Sequence, residues 1–218
     1  MDKPPTGKPT DKETVRLERM GDVGLILVDL PPVNALSQAV RKGLIATLAR
    51  VKQDATLRAA VITCEGRTFI AGADIREFDR TSAGEPTQVT AQDIVRALDA
   101  SLKPVVAAIH GTALGGGFEV ALACHSRIIA PDAFVGLPEV HIGIIPGAGG
   151  TQRLPRLVGP LVALEIITSS RHVPADEAMA PPGRRDRHRP TPSRRGSRTL
   201  SGGIRPQATR GRPRGAGA

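Results

Sequence analysis

The chain is written in short apolar blocks whose period changes along its length. "VRLERM" and "VGLILVDL" each fit a strand, and Gly21-Asp22 between them fits a turn. "PPVNA" ends the second strand, because proline cannot donate to a ladder. From Ser37 the period lengthens: Val40, Leu44, Leu48 and Val51 fall on one helical face, with Ser37 placed to cap it. "AAVITC" then reads as a short buried strand. Thr90 and Asp93 have the spacing of a capping box ahead of a helix bearing Ile94, Ala97 and Leu98. "PVVAAIH", Pro104 to His110, is a continuous apolar run of the kind buried on both faces of a parallel sheet. A glycine-rich turn, a helix from about Gly116 to Cys124, and the strand "SRIIAP" follow. "GAGGTQRLPRLVGP" predicts a helix begun at Thr151 and stopped at Gly159, with Pro160 opening another. Strands alternating with helices at this spacing predict an α/β domain with βα crossovers.

The two ends break this pattern. Residues 1–14 are rich in Pro, Lys and Thr and are expected to be a disordered leader; residues 181–218 are rich in Arg, Pro and Gly and almost devoid of apolar side chains. That tail carries 11 arginines and a single acid, Asp186, so the net charge of +9 belongs to it, and the body at 15–180 is close to neutral. A nucleic-acid partner would rest on the tail's charge alone. With no Trp, no Tyr and only 4 Phe, the chain lacks the aromatic platforms that hold single-stranded nucleic acid. Its 2 cysteines, Cys64 and Cys124, have neither metal-ligand nor disulfide-scaffold spacing and are expected to be buried thiols. No apolar run reaches the ~18 residues of a membrane span, and the opening residues lack the apolar centre of a secretory signal, so a cytoplasmic protein is expected.

Candidate chemistry sits between the last buried strand and the helix that follows it. Gly115, Gly116 and Gly117 present a helix N-terminus where unpaired N–H groups favour negative charge. A phosphate loop would need Lys-Ser/Thr after its final glycine, and "FEV" stands there instead. An anion formed during a reaction, such as an enolate oxygen, fits better. A second donor comes from "FIAGAD", which turns at Gly72 and offers the N–H of Ala73. Two glutamates, Glu119 and Glu139, lie twenty residues apart among Phe118, Val120, Leu137 and Val140, where an ionised carboxylate is costly to bury without a partner or a function. His110 and His141 flank this region and are read as structural.

"FIAGADIREF", "KPVVAAIHGTALGGGFEVALACHSRIIAP" and "VGLPEVHIGIIPGAGGTQRLPRLVG" together resemble the enoyl-CoA hydratase/isomerase (crotonase) superfamily, and most nearly the hydratase part of multifunctional fatty-acid oxidation enzymes. The resemblance covers about residues 15 to 180. It implies a crotonase (ClpP-like) spiral of ββα units and acyl-CoA thioesters as ligands, with no cofactor and no metal. The family's two oxyanion donors fall on Ala73 and Gly116, and its two hydratase acids on Glu119 and Glu139. Ala71, Gly72, Asp74, Ile75, Gly115 and Pro138 are expected to line the substrate cleft. Family members that only move a double bond often keep the acid at the Glu139 position alone, so both acids together favour hydration over isomerisation. A homotrimer or hexamer is the family expectation.

After "GPLVALEIITSSRHVPADEAMA" the resemblance stops at "PPGRRDRH". Codons for Pro182 to Arg189, shifted forward by one base, permit Leu-Gly-Val-Val-Thr-Asp-Ile-Val, a family-like continuation. A change of reading frame near Ala180 is therefore expected, leaving the chain without the family's usual C-terminal helices and without a fused NAD-binding dehydrogenase. Against the hydratase stand an inactive truncated product and, from another class, a nucleic-acid binder working through the arginine tail.

Overall fold

The computed structural model describes residues 13–74, 77 and 89–180. Expectations for Ile75, for the leader up to residue 12 and for residues 181–218 lie outside them.

Strands β1 (Val15–Met20) and β2 (Val23–Val28) form the expected hairpin across Gly21-Asp22, antiparallel with Val15 opposite Val28. Helix α1 (Gln38–Gln53) starts where Ser37 accepts a hydrogen bond from the Val40 N–H, and it buries Val40, Leu44, Leu48 and Val51. That apolar face packs on β1 and β2. Strand β3 (Ala59–Cys64) lies parallel to β2. Helix α2 (Ala91–Asp99) carries the expected capping box, with Thr90 and Asp93 satisfying each other's backbone N–H. Strands β4 (Val105–Ile109) and β6 (Ser126–Ile129) complete a five-stranded sheet in the order β1-β2-β3-β4-β6, parallel except for β1. In β4 the burial alternates: Val105, Ala107 and Ile109 are fully enclosed and the residues between them half-covered, so the second face is less sealed than its apolar run implies.

The glycine-rich turn contains structure of its own. Thr112–Leu114 is a strand, β5, and it enters a second sheet with β7 (Phe134–Gly136) and β8 (Val173–Pro174), in the order β5-β7-β8. Between β5 and β6 runs α3 (Gly116–Ala123), whose side chains from Phe118 to Ala123 are all buried. A helix that is apolar on every side but for one acid, Glu119, belongs in a core. Gly117 permits this, because a methyl group there would lie 2.1 Å from the Ile70 carbonyl oxygen. After β7 come a 3-10 helix (Pro138–Ile142), α4 (Gly150–Val158), α5 (Pro160–Ser169) and the short α6 (Ala175–Ala178). Helix α4 begins one residue before Thr151, with Gly149 in the left-handed region as its cap. The Gly150 N–H at that terminus is taken by a side chain from α3, described below. Both cysteines are buried free thiols. Among the described residues no helix is long and apolar enough to cross a membrane.

Candidate active site

Four segments converge on one place: the end of the strand-like run 70–73, the start of α3, the 3-10 helix, and the start of α4. The first two are tied by Leu114, whose N–H donates to the Ile70 carbonyl at 3.1 Å. The second and third are tied by Gly115, whose N–H donates to the Gly136 carbonyl at 2.9 Å and extends the parallel β5–β7 register of Leu114 opposite Gly136. Gly115 has φ +52, and a methyl group on it would lie 3.1 Å from Glu139 Oε1 and 3.8 Å from Gly72 Cα. Such a position tolerates glycine and little else. It also places Gly72, Gly115 and the Glu139 carboxylate side by side.

The predicted donors both border Leu36. Ala73 forms an isolated parallel bridge with Leu36, in which the Leu36 N–H donates to the Gly72 carbonyl at 2.8 Å. That pattern turns the N–H of Ala73 away from Leu36. Gly116, the first residue of α3, lies against the same side chain: a methyl group on it would be 3.2 Å from Leu36 Cδ2. Among the described residues neither N–H donates to a backbone carbonyl. Gly116 belongs to the unpaired first turn of a helix, so its donor has no intrahelical acceptor and sits at the positive end of the dipole.

The two acids occupy contrasting surroundings. Glu119 is 2% exposed, and its Oε1 accepts the N–H of Ala148 at 2.7 Å and of Gly150 at 2.8 Å. Burial raises its pKa above the ordinary carboxylate value, while those two donors oppose the rise. Glu139 stands on the 3-10 helix, half-buried, and its Oε2 is enclosed with no hydrogen-bond partner among the described residues. Burial, with a smaller contribution from the charge of Glu119, pushes the Glu139 carboxyl up to about 7.

Of the other predicted cleft residues, Ala71 donates to the Val33 carbonyl at 3.3 Å, and Asp74 accepts the Glu77 N–H on its backbone oxygen at 3.0 Å, which closes the turn after Ala73. Pro138 opens the 3-10 helix one residue before Glu139. His141 is exposed. The sequence reading had no place for Ala148 and Gly150 as partners of Glu119. "GAGG" was the available signal, since glycines at a helix start allow a side chain to reach the backbone. Among the described residues no cluster of three or more His, Cys, Asp or Glu is placed to hold a metal ion.

Residues 18–181 match the family model described as enoyl-CoA hydratase/isomerase. The chain is 54% identical over 157 residues to a peroxisomal bifunctional enzyme of Danio rerio, covering 72% of this chain and 21% of that protein. It is 46% identical over 160 residues to a probable enoyl-CoA hydratase of Bacillus subtilis (strain 168), covering 72% of this chain and 62% of that one. It thus spans about a fifth of the first relative and less than two thirds of the second. The structure superposes on an enoyl-CoA hydratase from Thermoplasma volcanium GSS1 with a TM-score of 0.70 at 36% identity, over 77% of this chain and 68% of the other. The fold is therefore the crotonase fold of those hydratases, and by sequence and structure alike the chain belongs to the enoyl-CoA hydratase/isomerase family.

Proposed function

We propose that this chain is an enoyl-CoA hydratase of fatty-acid β-oxidation, adding water syn across the double bond of a trans-2-enoyl-CoA to give a 3-hydroxyacyl-CoA. The observation that carries the reading is the unequal setting of the two acids. Glu119, raised by burial, has two backbone N–H groups on one oxygen that favour its charged form; Glu139, with a buried oxygen lacking a partner among the described residues and a pKa near 7, has no such donors and is suited to hold a proton. Glu119 then takes a proton from the water whose oxygen bonds to C3, and Glu139 delivers its proton to C2. Between these events charge gathers on the thioester oxygen, where the N–H groups of Ala73 and Gly116 would receive it without reorganising. Gly72 and Gly115 let the acyl chain approach the backbone, and Ala71, Asp74, Ile75 and Pro138 would line the cleft. Only water and the acyl-CoA take part, so the reaction calls for no cofactor.

An isomerase would need one acid that moves a proton between two carbons. The Ala148 and Gly150 donors on Glu119 give the second acid a built place and favour hydration. The cytoplasmic location, the trimer or hexamer, and the change of frame near Ala180 belong to the same reading. Support for the last is that the family match ends at residue 181.

The test is hydration of crotonyl-CoA, followed as loss of the conjugated thioester absorbance, for the full chain beside Glu139→Gln. Activity that falls at least about a hundredfold in the variant supports the assignment. An equally active variant overturns it, and sequencing this gene across the Ala180 codons and finding there the same frame as in related genes overturns the frame change.

A further inference from the structure

Among the described residues Arg41 is the one buried arginine, at 8% exposure, and its position in α1 is electrostatically unfavourable. It stands in the first turn after Ser37, at the positive end of the helix dipole, where a cation opposes helix formation. Desolvating a guanidinium there adds a further cost. The helix itself does not ask for this residue.

Its contacts lie elsewhere. Nη1 donates to the Leu36 carbonyl at 2.5 Å, Nε to the Val89 carbonyl at 2.7 Å, and Nη2 to Gln38 Oε1 at 2.8 Å and Glu77 Oε2 at 2.6 Å. The other Glu77 oxygen accepts the Gln38 N–H at 2.7 Å. Two of these partners bracket Ala73. Leu36 holds the residue before it through the Gly72 carbonyl, and Glu77 holds the residue after it through the Asp74 carbonyl. Leu36 also lies against Gly116. One planar, rigid fork therefore ties both flanks of the segment that carries one proposed oxyanion donor, and holds the backbone of the residue whose side chain borders the other.

We propose that Arg41 is a positioning residue for the oxyanion site, acting through Leu36 and Glu77 to hold the Ala73 N–H in line; this rests on the reading of Ala73 and Gly116 as the donors. A displaced donor weakens stabilisation of the developing enolate more than it weakens binding of the thioester. Misplacement by about 1 Å can cost ~10²-fold in rate.

The experiment uses the full chain with two readouts. One is the kcat and KM for crotonyl-CoA hydration. The other is the absorption of a bound conjugated acyl-CoA with a dialkylamino donor at its far end, which moves to the red as the thioester oxygen is polarised. Arg41→Met is expected to lower kcat by about 10- to 100-fold with KM held within about threefold, and to shorten the red shift of the bound probe. Arg41→Lys, which restores charge without the fork, recovers part of both. Arg16→Met on β1, which removes the ion pairs with Glu18, Asp29 and Glu65, lowers Tm and leaves both readouts at wild type. Should Arg41→Met fail to fold, Glu77→Gln decides by the same readouts. Wild-type kcat and red shift in Arg41→Met or Glu77→Gln, whatever their Tm, overturn the proposal. If the unmutated chain gives neither hydration nor a red shift, the oxyanion reading itself falls, and this one with it.

Discussion

Glu119 and Glu139 share one site and one side-chain chemistry, yet the protein treats them in opposite ways. Glu119 reaches from a fully buried helix to the N-terminus of another, and two N–H groups close on one of its oxygens. Glu139 rides a single turn of 3-10 helix with an enclosed oxygen that nothing meets among the described residues. The first carboxylate is part of the packing, and the second is held in reserve. What a carboxyl group does is set by what its oxygens touch, and in the hydratase reading proposed above that difference separates a base from an acid.

Removing each side chain should expose the contrast most strongly. Glu119→Ala and Glu139→Ala are both expected to lose at least about a hundredfold in crotonyl-CoA hydration. Only the first should also lose stability, because it leaves the Ala148 and Gly150 N–H groups buried and unpaired, at about 1–3 kcal/mol for each. Urea unfolding of the two variants measures the difference, and equal losses would erase the distinction drawn above. The glycines opposite each acid sharpen it further. A methyl group on Gly150 would stand 3.0 Å from Glu119 Oε1, and one on Gly115 would stand 3.1 Å from Glu139 Oε1. Gly150→Ala is expected to lower both Tm and kcat, whereas Gly115→Ala, strained in addition by φ +52, shifts the alkaline limb of the rate profile as it moves Glu139.

The pH dependence gives a smaller effect with a definite sign. A free-enzyme acid near 7 makes kcat/KM fall as pH rises through about 7, while the ionisation of Glu119 sets an acid limb above the ordinary carboxylate range. Stability follows a related course. Because the folded Glu139 value lies above its unfolded one, the folded protein holds the extra proton between about 4.5 and about 7, and stability falls as pH rises across that window. Tm measured from pH 4.5 to 8 should show Glu139→Gln free of this component. The smallest change is expected from Thr90→Ala, which removes the α2 cap at a cost of about 1 kcal/mol and leaves the pH–rate profile where it was.

How much could be read from the chain divides along similar lines. The five strands of the first sheet, α1 and α2 were legible because their apolar periods run for four residues or more and the two helices' caps use side chains. The second sheet was not: Thr112–Leu114, Phe134–Gly136 and Val173–Pro174 are too short to carry a period, and their pairings join residues far apart in sequence. Glu119 and Glu139 stood out as charges in apolar text. Ala148 and Gly150 did not, since a backbone N–H has the same chemistry in every residue but proline. Arg41, followed by Lys42 on an amphipathic helix, reads as one more surface cation until its burial is known.

The β5–β7 pairing, finally, acts as a ruler. It joins the segment leading to Glu119 with the one leading to Glu139 through ladder hydrogen bonds, so the spacing of the two acids is counted in residues and cannot drift by degrees. A ladder is either in register or shifted by a whole residue, which would turn its side chains to the opposite face. Heat or mild denaturant should therefore not yield slower molecules. A partly inactivated sample is expected to be a mixture of working and dead copies, seen as fewer active sites by titration with an unchanged turnover for each that remains.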